Sequence, residues 1–324
     1  MELFHYTGKD AELSIVGGNS FWFSGYDTMN DTTEIRHIDD FLLHNLSDSL
    51  DIVFKRFTKE RRKEIKKNCT KRGISKASTY QANKLIETLR GILFDGKERL
   101  PRAVDPFIMS FCSHDNSSYE YYNGMLSQWR AYGRSGYCLV FDRDALHDIL
   151  SGERDSYLYN HFGIHDVNYG VDREKFQNDH NLLAELALDA ALIESTHPDP
   201  ESVFHKLIQE YLKCAVKFKH VGFREECEVR AVLSPASIEL KSILEKHGPE
   251  ISLKIKEIKN RPDGRRYIEC KFRKKIPLKR IIVSPGEKQS ELFHEIKSVV
   301  DDGVEVTKSS TPYIEHASAT RALS

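Results

Sequence analysis

Residues 223–233 read Phe-Arg-Glu-Glu-Cys-Glu-Val-Arg-Ala-Val-Leu, a strand pattern with a charged group at every second residue. Because side chains alternate between the two faces of a strand, Glu226, Glu228 and Arg230 are predicted to share one face. Carboxylates this close repel each other, and a cation such as Arg230 would hold them in the charged form. The stretch therefore indicates either a surface Glu–Arg ladder, which contributes little to stability, or a paired-carboxylate site.

Two other predicted strands carry polar groups. Near the N-terminus, His5-Tyr6-Thr7 places His5 and Thr7 on one strand face and Tyr6 on the other. Further along, residues 107–112 form an apolar run that Ser110 interrupts. A buried structural histidine at position 5 and an ordinary strand hydroxyl at position 110 are the alternatives to a site.

The remaining pattern mixes helices and strands without regular alternation, which is typical of the α+β class. Apolar residues at helical spacing predict helices within residues 36–66, around 85–93, around 182–193 and over 203–216. A short helix over 11–16, strands at 20–24 and 136–141, and a C-terminal strand–helix–strand at about 280–308 complete the pattern. We expect one elaborated domain over residues 1–324, with a helical insertion at about 36–100.

Charge is segregated along a nearly neutral chain of 324 residues whose formal net charge is -1. This balance excludes a uniformly basic coat for nucleic acid, but residues 55–76 and 251–280 each have a net charge of +9, whereas residues 26–51 have −6. The basic segments are either solvated faces or a phosphate-backbone footprint.

Several function classes find no support. The six cysteines include no C-x-x-C pair, which argues against a zinc ribbon or a disulfide scaffold and for a reducing, cytoplasmic location. No apolar run approaches the ~20 residues of a membrane helix, and the N-terminus has no signal-peptide pattern. Residues 91–97 have phosphate-loop spacing, but Glu98 follows where Ser or Thr would bind magnesium. We expect no metal.

Five short motifs, taken together and in order, carry a family resemblance. They resemble a bacterial family described as a domain of unknown function, over most of residues 1–235, and that family is similar to ADP-ribosyltransferases. The motifs are His5-Tyr6-Thr7, Asn30-Asp31-x-x-Glu34, Ser110-Phe111-Cys112-Ser113, Leu126-Ser127-Gln128-Trp129-Arg130-Ala131-Tyr132-Gly133 and Phe223-x-x-Glu226-x-Glu228-x-Arg230.

The resemblance implies a split mixed β-sheet core with inserted helices and NAD as the substrate. It assigns the catalytic role to Glu228, which would stabilise an oxocarbenium-like transition state. Glu226 would orient the acceptor or accept its proton, and His5 would bind a ribose hydroxyl. The superfamily pairs Arg with Glu-x-Glu or His with a single Glu, so this chain departs from it by combining His5 with Glu226 and Glu228.

The same resemblance implies a set of NAD-binding residues. Thr7 would hold the nicotinamide amide, aromatic rings would stack on flat groups, and the Arg130 guanidinium would bind the diphosphate. The full expected set is His5, Tyr6, Thr7, Tyr26, Asn30, Ser110, Trp129, Arg130 and Tyr132. A core role is the alternative for Trp129 and its neighbours, with Arg130 bound to Glu34 or Glu226.

We therefore expect an NAD-dependent mono-ADP-ribosyltransferase that modifies nucleic acid, with RNA favoured, or protein. The resemblance suggests a bacterial toxin or phage-defence effector that an antitoxin protein restrains. One alternative is a nuclease in which Glu226 and Glu228 bind magnesium, although Arg230 stands where a lysine is usual. Another is a non-catalytic module that binds nucleic acid or protein through its charged segments.

Overall fold

The computed structural model describes residues 1–9, 13–26, 39–60, 73–90, 106–170, 174, 176, 181–192, 200–247 and 250–312. Its strands are β1 (Glu2–Gly8), β2 (Ser20–Gly25), β3 (Phe107–Cys112), β4 (Gly136–Asp142), β5 (Tyr159–Asp166), β6 (Asn168–Tyr169), β7 (Phe218–Lys219), β8 (Glu228–Pro235), β9 (Lys259–Asn260), β10 (Arg266–Lys271), β11 (Leu278–Val283) and β12 (Glu305–Lys308). Its α-helices are α1 (Asp39–Glu60), α2 (Ile74–Arg90), α3 (Tyr119–Asn123), α4 (Leu126–Ala131), α5 (Arg143–Ser151), α6 (Asn181–Leu192), α7 (Pro200–Ala215), α8 (Ile238–His247) and α9 (Gln289–Val299).

Ten of the described strands form one mixed sheet in the order β12-β11-β4-β1-β3-β2-β10-β9, with β8 pairing β3 and β5 pairing β8. The β11–β12 pair is parallel and the other pairs in this sheet are antiparallel. β6 and β7 form a separate parallel pair. The predicted α+β class is confirmed at this level.

The sheet splits along one edge of β3. On that edge β2 pairs with β3 at Phe107 and Ile108, whereas β1 pairs with it at Cys112. β1 and β2 therefore diverge along the middle of β3. The opposite edge of β3 is fully paired, because β8 matches it residue by residue from Leu233 to Glu228. The split leaves an irregular opening in the centre of the sheet.

Alternating burial gives the sheet two different faces. One face, here called the back face, carries a continuous apolar core with members such as Leu3, Phe23, Phe111 and Val229, and α5 and α9 pack against it. The other, here called the front face, carries two separate apolar clusters. One contains Ile108 and Val232 together with α1, α2, α6 and α7; the other contains Phe4, Tyr6, Cys112 and Trp129.

The helices that cover the front face have the spacing that buries one stripe of each. In α1, Leu42, Leu46 and Leu50 lie four residues apart and are buried, and in α7 Tyr211 and Leu212 contact the same cluster. The predicted helical insertion at 36–100 corresponds here to α1 and α2. Of the predicted helix over 11–16, the described part is a π-helical turn, Leu13–Gly17.

The strand predicted over residues 223–233 begins later than expected. Residues Val221–Glu226 form a 3-10 helix, and Cys227 ends it in the left-handed region with φ 44°. The strand β8 then starts at Glu228, where pairing to both β3 and β5 becomes possible. The prediction that Glu226 shares a strand face with Glu228 and Arg230 is therefore wrong, because Glu226 lies outside the strand.

The C-terminal strand–helix–strand is present as β11, α9 and β12, with the two strands parallel and adjacent. Among the described helices, none combines the length and the apolar composition that crossing a bilayer requires.

Candidate functional site

The opening in the sheet is bridged by His5. Its Nδ1 lies 2.9 Å from the main-chain oxygen of Ser110, the β3 residue that falls between the β2 and β1 pairings. Because a carbonyl can only accept, Nδ1 carries the proton and donates. Burial lowers the pKa of the His5 imidazole, and the hydrogen bond to Ser110 offsets this only in part. His5 is therefore a neutral imidazole at physiological pH.

The side chains of His5 and Ser110 leave the sheet on opposite faces. The pairing of Phe4 with Cys112 places even-numbered residues of both strands on the front face. The His5 ring accordingly lies on the back face, 5.5 Å from the ring of Phe111. The Ser110 hydroxyl points to the front face, between the two apolar clusters.

The Glu228 carboxylate is the centre of a buried polar cluster on the front face. Ser110 Oγ donates to its Oε1 over 2.6 Å, and Lys219 Nζ donates to its Oε2 over 2.9 Å. The Arg230 guanidinium donates through Nε to Oε1 and through Nη2 to Oε2, both over 3.0 Å. The Glu228 side chain is 3% exposed and that of Arg230 is 0% exposed.

These partners keep Glu228 ionised. Burial alone would raise the pKa of its carboxyl, but Arg230 and Lys219 outweigh burial and hold the pKa at about 2. The Ser110 hydroxyl acts in the same direction. The Glu228 carboxylate is therefore negatively charged at neutral pH.

Lys219 links the two carboxylates of the E-x-E motif. Its Nζ lies 2.7 Å from Glu226 Oε2 as well as 2.9 Å from Glu228 Oε2, and its side chain is 6% exposed. The short β6–β7 pair positions it, and the Tyr169 hydroxyl of β6 accepts the Glu228 main-chain N–H over 2.6 Å. Sequence reasoning missed both residues, since a two-residue strand leaves no periodic signal.

Two largely buried histidines lie on β5, the strand that pairs with β8. His165 is directly opposite Arg230 in the β5–β8 register. The rings of His161 and His165 are stacked with their Nε2 atoms 2.9 Å apart. Burial lowers their pKa values to about 3 and about 4, so both imidazoles are neutral.

Tyr6 and Thr7 lie on opposite faces of β1, as the alternation predicts. The Tyr6 hydroxyl accepts the Met125 main-chain N–H over 2.8 Å and lies 3.1 Å from His114 Nε2. Thr7 is buried, with its hydroxyl donating to the Gly8 carbonyl over 3.4 Å. Both residues therefore face protein atoms at the edge of the site.

Trp129 belongs to the core, and its predicted role in stacking on NAD is wrong for this reason. The side chain is 1% exposed, its Nε1 donates to the Asn123 carbonyl over 2.9 Å, and its ring meets the Tyr6 ring edge-on at 4.9 Å. A Cβ at Gly124 or Gly133 would lie 2.6 Å or 2.5 Å from this ring. The two glycines thus make room for the indole.

The other residues in the expected NAD-binding set are distributed more widely. Arg130 and Tyr132 are exposed on and just after α4. Tyr26 is half-buried and packs against the front-face cluster of α1 and α7. Asn30, with Asp31 and Glu34, lies outside the described residues, so the contact proposed between Arg130 and Glu34 lies outside them too.

The charged groups of this cluster are held in fixed positions by their hydrogen bonds to one another. Two carboxylates and two cations alternate within hydrogen-bond distance, with the serine hydroxyl fixing one carboxylate oxygen. In the part of the chain that the structure describes, no three His, Cys, Asp or Glu side chains converge as a metal site would require. Between Glu226 and Glu228, the position that a bridging metal would take is occupied by Lys219 Nζ.

Comparison with known proteins adds one match. A family model described as "Protein of unknown function (DUF2971)" matches residues 128–231, a range that includes Glu228 and Arg230 but neither His5 nor Ser110. No curated protein and no solved structure matches the chain. The match agrees with the expected family of unknown function and does not bear on the likeness to ADP-ribosyltransferases.

Proposed function

We propose that this protein is an NAD-dependent mono-ADP-ribosyltransferase whose catalytic carboxylate is Glu228. The observation that carries the proposal is the hydrogen-bonded connection from His5 through Ser110 to Glu228, across three adjacent strands at a split in the sheet. That arrangement supports the ADP-ribosyltransferase-like core that the five motifs imply. The roles of a second-strand serine and a third-strand glutamate are proposed on that likeness. The His5 ring lies on the back face, opposite to the Glu228 carboxylate, so the expectation that His5 binds a ribose hydroxyl beside Glu228 is wrong. In the proposal His5 instead holds the Ser110 main chain in place.

The proposed reaction breaks the bond between the nicotinamide nitrogen and the ribose C1′ of NAD. The electron pair leaves with nicotinamide, and positive charge develops on the ribose as an oxocarbenium-like transition state. An acceptor nucleophile then bonds to C1′ and loses a proton. Glu228 suits the first step because its carboxylate is charged, buried and fixed, so little reorganisation is required when the ribose charge appears.

Glu226 and Lys219 suit the second step. The Glu226 side chain is 16% exposed against 3% for Glu228, so it is the carboxylate nearer to solvent. An acceptor approaching from solvent would meet Glu226 first, and this carboxylate would receive the acceptor proton. Lys219, which donates to Glu228 Oε2, is the group that a ribose hydroxyl would replace there.

The biological setting is proposed on the family resemblance alone. It is that of a bacterial toxin or phage-defence effector held in check by an antitoxin protein. The nuclease alternative is weaker, because Lys219 lies between Glu226 and Glu228 at the position of the metal that it requires.

The test is to incubate the protein with labelled NAD and separate pools of RNA, DNA and protein, with and without EDTA. We expect transfer of label by the wild type, unaffected by EDTA, and loss of at least about 100-fold in Glu228→Gln, the scale seen when a stabilising group is removed. Glu225→Gln is the matched control, an exposed carboxylate three residues earlier, in the 3-10 helix that precedes β8. Full transfer by a folded Glu228→Gln variant would refute the assignment. Cleavage of nucleic acid without NAD, abolished by EDTA, would favour the nuclease.

A further inference from the structure

A pair of aromatic rings, Trp22 exposed and Tyr267 half-buried, lies on the outer part of the sheet, away from the apolar clusters. The Trp22 side chain is 38% exposed, and its ring centroid is 4.8 Å from that of Tyr267, with an angle of 31° between the planes. The Arg261 guanidinium lies over both rings, 5.3 Å from the Trp22 centroid and 5.7 Å from the Tyr267 centroid. At that distance and angle the two rings pack against each other, and with the guanidinium they form one partly exposed aromatic and cationic cluster, here called the platform.

Strand register explains why this face is exposed. Trp22 pairs with Glu269 and Ser24 with Tyr267 across the β2–β10 ladder, so these side chains share one face. The intervening residues, including Phe23 and Ile268, are fully buried on the other face. The platform is therefore fixed by the same alternation that builds the core, and its rings cannot turn inward without a shift in register.

The surroundings of the platform are positively charged. Residues 251–280 have a net charge of +9. On the platform face, Lys259 and Lys271 lie beside the rings, both paired with Glu269 at 2.7 Å and 3.5 Å, so one positive charge is left over there. Arg261 adds a further positive charge, and Arg273 is exposed just beyond the end of β10.

The platform face continues into a groove of about 1430 Å³. The residues that line it include the cations Lys254, Arg273 and Lys274 and the acids Asp148 and Asp155. Lys256 also lines it and is paired with Glu153 over 2.6 Å. Lys259 and Lys271, which lie beside the platform, line the groove as well.

We propose that this surface binds single-stranded nucleic acid, with a base stacked on the exposed part of the Trp22–Tyr267 pair and phosphates along Lys259, Lys271 and Arg273 towards the groove. Any base offers a flat face to an aromatic ring, and a basic track beside such rings is the usual means of holding a single strand. A duplex does not expose its base faces. An acidic protein would form ion pairs with the cations but would supply no flat groups to stack on the paired rings. Binding of a strand at this surface does not depend on the proposed transferase activity. Only the further claim that the bound strand is the acceptor of ADP-ribose rests on the proposed function.

The test is fluorescence anisotropy with labelled oligonucleotides of about 12 residues, within the usual site size, as RNA and as DNA, at several salt concentrations and without NAD. We expect Trp22→Ala to lose roughly 5- to 150-fold in affinity with an unchanged salt slope, because stacking and not phosphate contact is removed. We expect Lys271→Ala to lower the slope of log affinity against log salt by about 0.7.

Tyr122→Ala is the matched control, since Tyr122 is 58% exposed and its ring lies 5.1 Å from that of Tyr121 at a different surface. Binding of RNA, DNA or both, weakened by Trp22→Ala and not by Tyr122→Ala, supports the proposal. Wild-type affinity in Trp22→Ala, equal binding of a duplex, or equal competition by polyglutamate would each overturn it. Because the assay contains no NAD, it measures strand binding apart from any transfer reaction, so a failure of the transferase proposal would not change how this result is interpreted.

Discussion

Removing Arg230 should cost far more free energy of unfolding than removing an equivalent arginine at the surface. Arg230 is fully buried and donates two charge-assisted hydrogen bonds to Glu228 and a third, through Nη1, to the Val216 carbonyl over 3.0 Å. In Arg230→Met these acceptors stay buried while their donor disappears. Breaking a buried pair in this way costs about 3–5 kcal/mol. Ser110 and Lys219 still bind the carboxylate, which places the expected loss near 3 kcal/mol.

The chain offers a control in another two-bond Arg–carboxylate pair, whose carboxylate is exposed. Arg143 donates to both oxygens of Asp166 over 2.7 Å and 3.0 Å, but the Asp166 side chain is 65% exposed. Arg143→Met should therefore cost less than about 1 kcal/mol. The measurement is urea unfolding followed by circular dichroism, with the free energy obtained by linear extrapolation.

A double variant separates the attraction between the two charges from the free-energy cost of burying them. In Glu228→Leu combined with Arg230→Met, no uncompensated charge of this pair remains, so most of the loss should be recovered, as for other buried pairs replaced by apolar residues. A loss below 1 kcal/mol in Arg230→Met, or a double variant less stable than the single one, would contradict the account of Glu228 as a charge held by Arg230.

Two further predictions concern the histidines and the indole. Burial holds the pKa values of His114, His161 and His165 at about 4, about 3 and about 4, so the unfolded chain binds their protons first as pH falls below ~6.5. The stability that these neutral histidines contribute is complete above that pH and is lost towards pH 4, by up to ~1.4 kcal/mol per pH unit for each. The measurement is the number of protons taken up on unfolding at pH 5, which should be smaller in His161→Gln. Equal proton uptake at pH 5 and pH 8 would contradict the prediction. Gly133→Ala would place Cβ 2.5 Å from Trp129 Cε3, and we expect a loss of about 1–3 kcal/mol in urea unfolding, against almost none for Gly152→Ala, where the Cβ meets open space.

Residues with regular spacing could be placed from the sequence, and isolated residues could not. Leu42, Leu46 and Leu50 recur at helical spacing, and α1 buries all three. Cys227, by contrast, ends the strand pattern through a left-handed backbone that alternation does not reveal. As a result, the alternation predicts Glu226 on the strand, whereas it lies before it, and no pattern predicts Lys219, the cation that joins the two carboxylates.

Trp129 shows a second limit of prediction from the sequence. An aromatic residue beside an arginine in this motif predicts a ligand contact, but the glycines near it in the chain indicate a core position. Gly124 and Gly133 flank the indole, and each would clash with it through a single added carbon. Glycines on both sides of a large ring indicate close packing, so this part of the motif is explained by the core.

The split in the sheet accounts for the special position of Ser110. Its carbonyl lies on the β3 edge that β2 leaves after Ile108 and β1 joins only at Cys112. A buried main-chain oxygen needs a donor, and the His5 imidazole supplies it. The hydroxyl of the same residue holds Glu228, so Ser110 fixes the histidine and the carboxylate relative to each other on opposite faces of the sheet. Both groups are thus positioned by strands, and a charge carried by strands is better preorganised for stabilising a transition state than one carried by a mobile loop.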